Sequence, residues 1–364
     1  MAKDWKHKAI CLSFILVLAG FMLAHILLPH REISYTEGRT FRRPEFSREK
    51  LFSGRMALEY EKYALEQFPL RDRFRGLKAL TAFYLLRLEE HNGVQVLGNG
   101  IYLREYPLRE DSVRAAAAKF REVYSRYLAG QPVYYAVVPD KNCYVAAERG
   151  WLAPDYERML DILRENLPGW TYIDLFAELT IADYYRTDGH WRQERLIPLA
   201  DTILARMGRE PVQREYQRHE LYPFYGAYYA RCGLPLAPDT ITYLTNPVLE
   251  AVRVWDQDGR DLGGIYNPEL FSSLNPYNFF LSGPVPIITI ENSSAADDRE
   301  LVIFRDSFAS SLAPLLVEGY ARIHLVDLRY IPGDQLGEKL QFGPNQDVLF
   351  LYSIPVLNNS SMLR

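Results

Sequence analysis

The chain has 364 residues, 48% of them hydrophobic and 24% charged. That is enough apolar material for one large or two ordinary packed domains, and it excludes a disordered chain. A formal charge of −4 and a pI near 6.0 leave no basic footprint, which argues against a nucleic-acid partner.

The N-terminal segment meets a different solvent. Residues 9–28, AICLSFILVLAGFMLAHILL, hold no Asp, Glu, Lys or Arg over 20 positions. As a helix that is about the length needed to cross a hydrocarbon core of roughly 30 Å. Lys3, Lys6 and Lys8 precede it with one acid, Asp4. The positive-inside rule therefore keeps residues 1–8 as a cytoplasmic head and places everything after Leu28 outside. The apolar run exceeds a signal-peptide core of ~7–15 residues, and HILLPHRE offers no small-residue cleavage site. An uncleaved single-pass anchor in the cell membrane is the favoured reading over a cleaved leader. With the head at +2, the remainder carries −6 and is not drawn as a whole to anionic lipid.

Residues 29–91 read as a stalk and a helical segment. REISYTEGRTFRRPEFSREK is extended and punctuated by proline. Leu51, Met56, Tyr60, Tyr63 and Ala64 then recur at helical spacing, FPLRDRF interrupts at Pro69, and Leu77, Leu80, Tyr84, Leu85 and Leu88 resume the stripe.

From Asn92 the element types alternate. GVQVLGNGIYL predicts a hairpin turning at GNG, VRAAAAKFREVYSRYLAG a helix stopped by Gly130, and PVYYAVVPD a strand. DYERMLDILREN reads as a helix, TYIDL as a strand and RQERLIPLADTILARM as a helical stretch. ELVIF, SFASSLAPLLVEG, ARIHLVDL and DVLFLYS continue as strand, helix, strand and strand. This order predicts an α/β domain over 92–364 with a mostly parallel sheet flanked by helices. Residues 205–280, rich in Tyr, Pro and Gly around the short strands DTITYLTN and AVRVWD, read as a possible inserted lobe. Cys11 lies in the apolar run, while Cys143 and Cys232 could pair or stand as two core thiols; spacing does not decide. No CxxC or HxxxH spacing points to a metal site, and nothing in the sequence calls for another cofactor.

The chemistry gathers in two stretches. In YYRTDGHWR, residues 184–192, Asp188 and His190 stand two apart beside Trp191. A carboxylate so placed can hold imidazole Nδ1 and leave Nε2 as a general base. The same pair on a loop is also what a solvated bend looks like. In ELVIFRDSFASSLAPLL, Ser307 follows a strand and precedes a helix, at the sheet edge where α/β folds put their sites. The helix start there suits an oxyanion, yet Asp306 or Ser307 could equally be no more than its N-cap. Of the other histidines, His7 is in the head, His25 lies in the anchor and His30 beside it, and His324 lies in a core strand. His91 and His219 lack a matching acid and hydroxyl, so His190 is the base by elimination.

YRTDGHW with IFRDSFASSLAPLL resembles the DHHW protein family. More distantly it is similar to the periplasmic alginate O-acetylation proteins of SGNH-hydrolase-like fold. FPLRDRF, VVPDK at 137–141, FYGAYY at 224–229, PYNFFLSG at 276–283, VDLRY at 326–330 and LYSIPVLNNS at 351–360 fit the DHHW pattern too, so the likeness spans most of the chain. It implies an SGNH-hydrolase-like sheet with a Ser–His–Asp triad, carried over onto Ser307, His190 and Asp188. Two positions depart from the pattern. Gly189 stands where DHHW has its first histidine, and Arg305 where SGNH enzymes have glycine, a cation that could narrow the site or hold a ligand. Arg305, Asp306, Trp191, Asn358, Asn359 and the backbone at Gly283 are the candidates for substrate binding or for the oxyanion.

The resemblance implies an O-acetyltransferase acting on a cell-envelope or secreted polysaccharide. Because acetyl-CoA is not found outside the membrane, it also implies a multi-spanning acyltransferase partner that supplies acetyl. The same triad could serve an acetyl esterase, with water as acceptor. A non-catalytic glycan-binding or envelope-assembly protein with a vestigial triad is the third reading.

Overall fold

Along Glu300–Arg305 every second side chain turns to the same face, Leu301 and Ile303 to one and Val302 and Phe304 to the other, and all four are buried. A strand apolar on both faces needs cover on both faces, and that requirement organises the molecule. The computed structural model describes residues 2–34, 37–210 and 215–364, the side chains of residues 2–4 excepted. Met1 and the side chain of Lys3 in the head, Tyr35 and Thr36 of the stalk, and 211–214 of the middle segment lie outside the described residues.

In chain order the elements used below are α1 (Ala2–Leu27), α2 (Arg55–Glu66) and α3 (Arg71–Leu80), then the hairpin β1 (Val94–Leu97) and β2 (Gly100–Leu103). α4 (Glu110–Val123), β3 (Val133–Val138), α5 (Tyr156–Asn166), β4 (Thr171–Tyr172) and α6 (Ile197–Arg206) follow. The middle holds β5 (Gln217–Phe224), α7 (Ala227–Cys232), β6 (Asp239–Thr245) and β7 (Arg253–Asp256). The last stretch holds β8 (Ile287–Glu291), β9 (Glu300–Arg305), α8 (Ala309–Leu316), β10 (Arg322–Val326) and β11 (Gln346–Ser353).

Seven strands make the central sheet, in the order β4-β3-β11-β9-β10-β8-β7. The five from β4 to β10 run parallel, and β8 and β7 are antiparallel additions at one edge. On one face α6 and α8 pack Leu199, Ile203, Leu312 and Leu316 against Leu301 and Ile303. On the other, α4 and α5 pack Phe120, Val123, Leu160 and Leu163 against Phe304 and Phe350. The SGNH-hydrolase-like fold expected from the sequence, a mostly parallel sheet between helical layers, is the fold observed.

Two expectations are adjusted. TYIDL gives a strand of two residues only, extended by the Ile173 NH donating to the Tyr135 carbonyl. The segment 205–280 divides. β5 and β6 pair as a separate antiparallel ribbon, but β7 joins the central sheet beside β8, a strand that the sequence reading passed over. VPIITIE is a short apolar run with no following helix, so its neighbours give it no αβ signature. Cys143 and Cys232 are separate thiols, the second fully buried.

At the N-terminus, Trp5–Leu27 is apolar and long enough to cross a membrane, and none of it is buried in the protein.

Candidate active site

The bend at 184–192 is held from several sides. Tyr184 and Trp191 form an antiparallel bridge, and the Tyr185 NH donates to the His190 carbonyl. Thr187 donates through both its NH and its hydroxyl to Asp239 Oδ2, 2.7 Å in each case. The Thr187 carbonyl accepts from the NH groups of Tyr228 and Tyr229 in α7. Gly226, just before α7, lies so close that a Cβ there would fall 2.3 Å from Asp188 Cβ. Only glycine allows that approach.

Lys141 completes the support from beneath. Its buried ammonium donates to the carbonyls of Ile101 at 2.6 Å, Tyr185 at 2.8 Å, Arg186 at 2.9 Å and Asp188 at 3.1 Å. Burial pulls this amine down to about 7, with Asp188 and Asp239 acting in the opposite direction. Lys141 ends the VVPDK segment, and neither it nor Asp239 could be tied to the site from the sequence. Each lies more than forty residues from Asp188 in the chain, on an element that only the tertiary fold brings near.

Asp188 is 2% exposed. Its Oδ1 accepts from the His190 NH at 2.8 Å and meets His190 Nδ1 at 2.5 Å, while Oδ2 accepts from the Ala227 NH at 2.6 Å. Burial alone would raise its pKa. The charge and hydrogen bonds of His190, with the Ala227 NH, outweigh burial and hold the carboxyl at about 2. On the other side of the ring, His190 Nε2 lies 2.7 Å from Ser307 Oγ. The imidazole is stacked on Tyr277, with ring centroids 3.8 Å apart, and Phe308 meets it at 4.7 Å. A ring bonded at both nitrogens and packed on its face has one orientation.

Ser307 sits in the turn between β9 and α8. Asp306 fixes that turn, accepting from the Phe308 NH at 3.0 Å and from the Ser353 NH at 2.8 Å. Asp306 thus takes up the Phe308 NH in the turn ahead of α8, whose N-cap position is Phe308, so neither Asp306 nor Ser307 is the N-cap. The Ser307 NH has no acceptor among the described residues.

The remaining candidates do not converge on Ser307. Trp191 is fully buried and its indole NH donates to the Phe308 carbonyl and Ser311 Oγ, both at 3.0 Å, so it fastens the serine turn to the histidine bend. Arg305 is 1% exposed and lies under the floor, 3.2 Å from Ser310 Oγ and 3.8 Å from Asp327. It cannot reach a ligand, because its side chain points into the protein. Asn358 spends its amide on the carbonyls of Glu105 and Pro107 and accepts from the Arg109 NH, which ties down the 105–109 loop and leaves no donor for an oxyanion. The Asn359 side-chain oxygen receives Arg109 at 3.5 Å. Gly283 has φ of +78° beside Asn278 and lies outside the cavity.

A cavity of about 400 Å³ opens over Ser307 and His190, with Arg109, Arg231, Tyr106 and Tyr228 on its walls. Arg329 lies there too, paired through two nitrogens with the buried Asp327 at 2.8 and 2.7 Å. Among the described residues no three His, Cys, Asp or Glu side chains gather as a metal-binding set. The arrangement can remove a proton from Ser307 Oγ through His190 while Asp188 holds the resulting imidazolium.

No family model and no curated protein matches the chain. Among solved structures it is similar to a DHHW family protein from Eubacterium siraeum, with 20% identity and a TM-score of 0.60 over 75% of this chain and 94% of that one. It is also similar to Bacillus cereus PatB1 in a structure with a sulfonyl adduct, with 17% identity and a TM-score of 0.57 over 72% of this chain and 97% of that one. The O-acetyltransferase domain of Pseudomonas putida AlgJ gives 14% identity and a TM-score of 0.43 over 73% of this chain and 92% of that one, too slight a likeness to argue from. At these identities the common property is the fold.

Proposed function

We propose that the chain is a DHHW-type serine O-acyltransferase, anchored in the cell membrane by its N-terminal helix. Its head would be cytoplasmic, and its α/β domain would act outside on hydroxyl groups of a polysaccharide. The observation that carries this reading is the unbroken chain of contacts from the Ala227 NH through Asp188 and His190 to Ser307 Oγ.

In the first step Ser307 Oγ attacks the carbonyl carbon of an acetyl donor while its proton passes to His190 Nε2. Asp188 stabilises the imidazolium and keeps Nδ1 protonated. The carbonyl oxygen becomes an oxyanion, and the Ser307 NH at the entrance to α8 is the donor best placed to receive it. One such donor is worth about 2.7–4 kcal/mol in comparable sites. The leaving group takes the proton from His190, which leaves an acetyl ester on Ser307. A sugar hydroxyl then gives its proton to His190 and attacks that ester, so that acetyl moves to the glycan and Ser307 is restored. The acetyl donor outside the membrane would be supplied by a multi-spanning acyltransferase partner.

The test uses the full-length chain in detergent with a chromogenic acetyl ester, with and without candidate glycans. Release of chromophore that Ser307→Ala and His190→Ala both abolish, with acetyl recovered on the glycan, supports transfer. Release with acetyl recovered only as acetate identifies an esterase. No turnover by a folded protein contradicts an enzymatic role.

A further inference from the structure

Helices α2 and α3, with the residues flanking them, leave an unusual amount of apolar surface uncovered. Phe52, Leu58, Leu65, Leu70, Leu77 and Leu85 are between 54% and 88% exposed, and this much uncovered apolar surface on one helical segment marks a contact surface. Its partner is indicated by what adjoins it. Phe21 of α1 stacks on Phe68 at 5.4 Å and meets Phe74 at 6.0 Å. Just beyond the end of α1, His30 stacks on Tyr63 at 5.7 Å, and the Arg31 NH donates to Gln67 at 2.8 Å. Phe21 lies six residues before Leu27, the last residue of the apolar helix, which is about 9 Å along the helix axis. Wherever α1 crosses a bilayer, Phe68 and Phe74 are therefore level with the acyl chains of the outer leaflet.

We propose that α2, α3 and the turn joining them lie in the outer surface of the bilayer, apolar face in the lipid, as a second and non-spanning membrane contact. The proposal rests on the reading of α1 as a membrane anchor. The depth fits an interfacial helix, which sinks about 5–10 Å into the headgroup and acyl boundary. Charge agrees with position. The outer portion as a whole is acidic, but residues 29–91 carry 13 Lys or Arg against 10 Asp or Glu. Five basic residues, Arg42, Arg43 and Lys62 among them, against three glutamates line a cleft of about 750 Å³ that includes Tyr63, the ring on which His30 stacks.

The surface also fixes where the candidate site stands. Arg75 of α3 donates to the Ala230 carbonyl at 2.5 Å, and Ala79 packs with Cys232 and Leu234. At the other end of α7 the Ala227 NH holds Asp188. One helix of six residues, about 9 Å long, thus separates the lipid-facing helix from the carboxylate of the site. The cavity over Ser307 is held close to the membrane surface.

The experiment places a photoreactive benzophenone side chain at Leu70, Phe74 or Leu77 of the full-length protein in nanodiscs of phosphatidylcholine and phosphatidylglycerol. Lipid adducts are then read by mass spectrometry. Leu16 inside α1 serves as the lipid reference, and Arg253 on the edge strand β7 as the water reference. Lipid adducts at all three positions at the level of Leu16, and none at Arg253, are expected. Adducts at Leu16 with none at the three positions overturn the proposal and leave the anchor standing. No adduct at Leu16 removes the anchor and the proposal together. In native membranes, a discrete protein adduct in place of lipid at the three positions overturns it in favour of a protein occupant.

Discussion

Tyr228 occupies the space that a side chain at position 189 would need. A Cβ on Gly189 would lie 2.4 Å from the Tyr228 hydroxyl oxygen and 2.7 Å from Cζ. While Tyr228 stands there glycine is the residue that fits at 189, and it leaves the contacts of Asp188 and His190 intact. Gly189→His alone is expected to lower both melting temperature and esterolysis. Combined with Tyr228→Gly it should recover part of the loss, with a coupling of about 0.5–3 kcal/mol in a double-mutant cycle. Additive losses would show that the two positions do not compete for the same space.

Asp188→Asn keeps the shape of the bend but lets the amide stabilise the wrong histidine tautomer. Turnover is expected to fall by about 10⁴-fold with the protein still folded. A pH signature accompanies it. The folded-state pKa of about 2 lies below the ordinary value of 3.8. The stability contributed by the carboxylate is therefore full above the ordinary value and lost as pH falls towards the depressed one. Urea midpoints of wild type and variant should differ by a constant amount between about pH 5 and 7, and the gap should narrow only in stronger acid. A gap that closes already near neutrality would contradict this assignment.

Trp191→Phe preserves apolar bulk but removes the donor shared by the Phe308 carbonyl and Ser311 Oγ. A cost of about 1–3 kcal/mol is expected, and because Phe308 follows Ser307, turnover should fall as well. Tyr277→Phe keeps the ring on His190 and loses only the bond to Ser311, so its stability cost should be about 0.5–1.5 kcal/mol. Denaturation midpoints and initial rates measured together separate the two. Equal effects would argue against a clamp at Trp191.

Lys141→Met would remove the common donor of four inward-facing carbonyls, of which Arg186 alone is seen to keep another donor, the Ile101 NH. Three of them belong to the strand of chain that carries Asp188. A loss on the order of 3 kcal/mol is expected from the orphaned acceptors. Amide exchange should rise first in residues 185–190. A variant as stable as wild type would mean that the bend is held by Asp239 and α7 alone.

Much of this is legible in the sequence. The alternating strands and amphipathic helices of the central sheet announce themselves because each is a local pattern that burial on two faces enforces. Ser307, His190 and Asp188 could be nominated because residue type and position after strands limit the choices. The parts missed share one cause. Lys141, α7 and in part Asp239 act on the bend through backbone carbonyls and NH groups, which leave no trace in side-chain pattern. Arg305 and Asn358 misled for the complementary reason. A polar side chain near a nucleophile reads as a ligand group until its partners are seen, and both face inward to Asp327, Ser310 and the 105–109 loop.

The most direct measurement treats the full-length protein with a sulfonyl fluoride and maps the modified residue by peptide mass spectrometry, with His190→Ala as the control. A single sulfonyl group on Ser307, formed in wild type and absent from the variant, is the expected result, since only a serine activated by its base reacts in this way. An unmodified Ser307 in folded wild-type protein, or equal labelling in the variant, would contradict the assignment of Ser307 as a nucleophile served by His190.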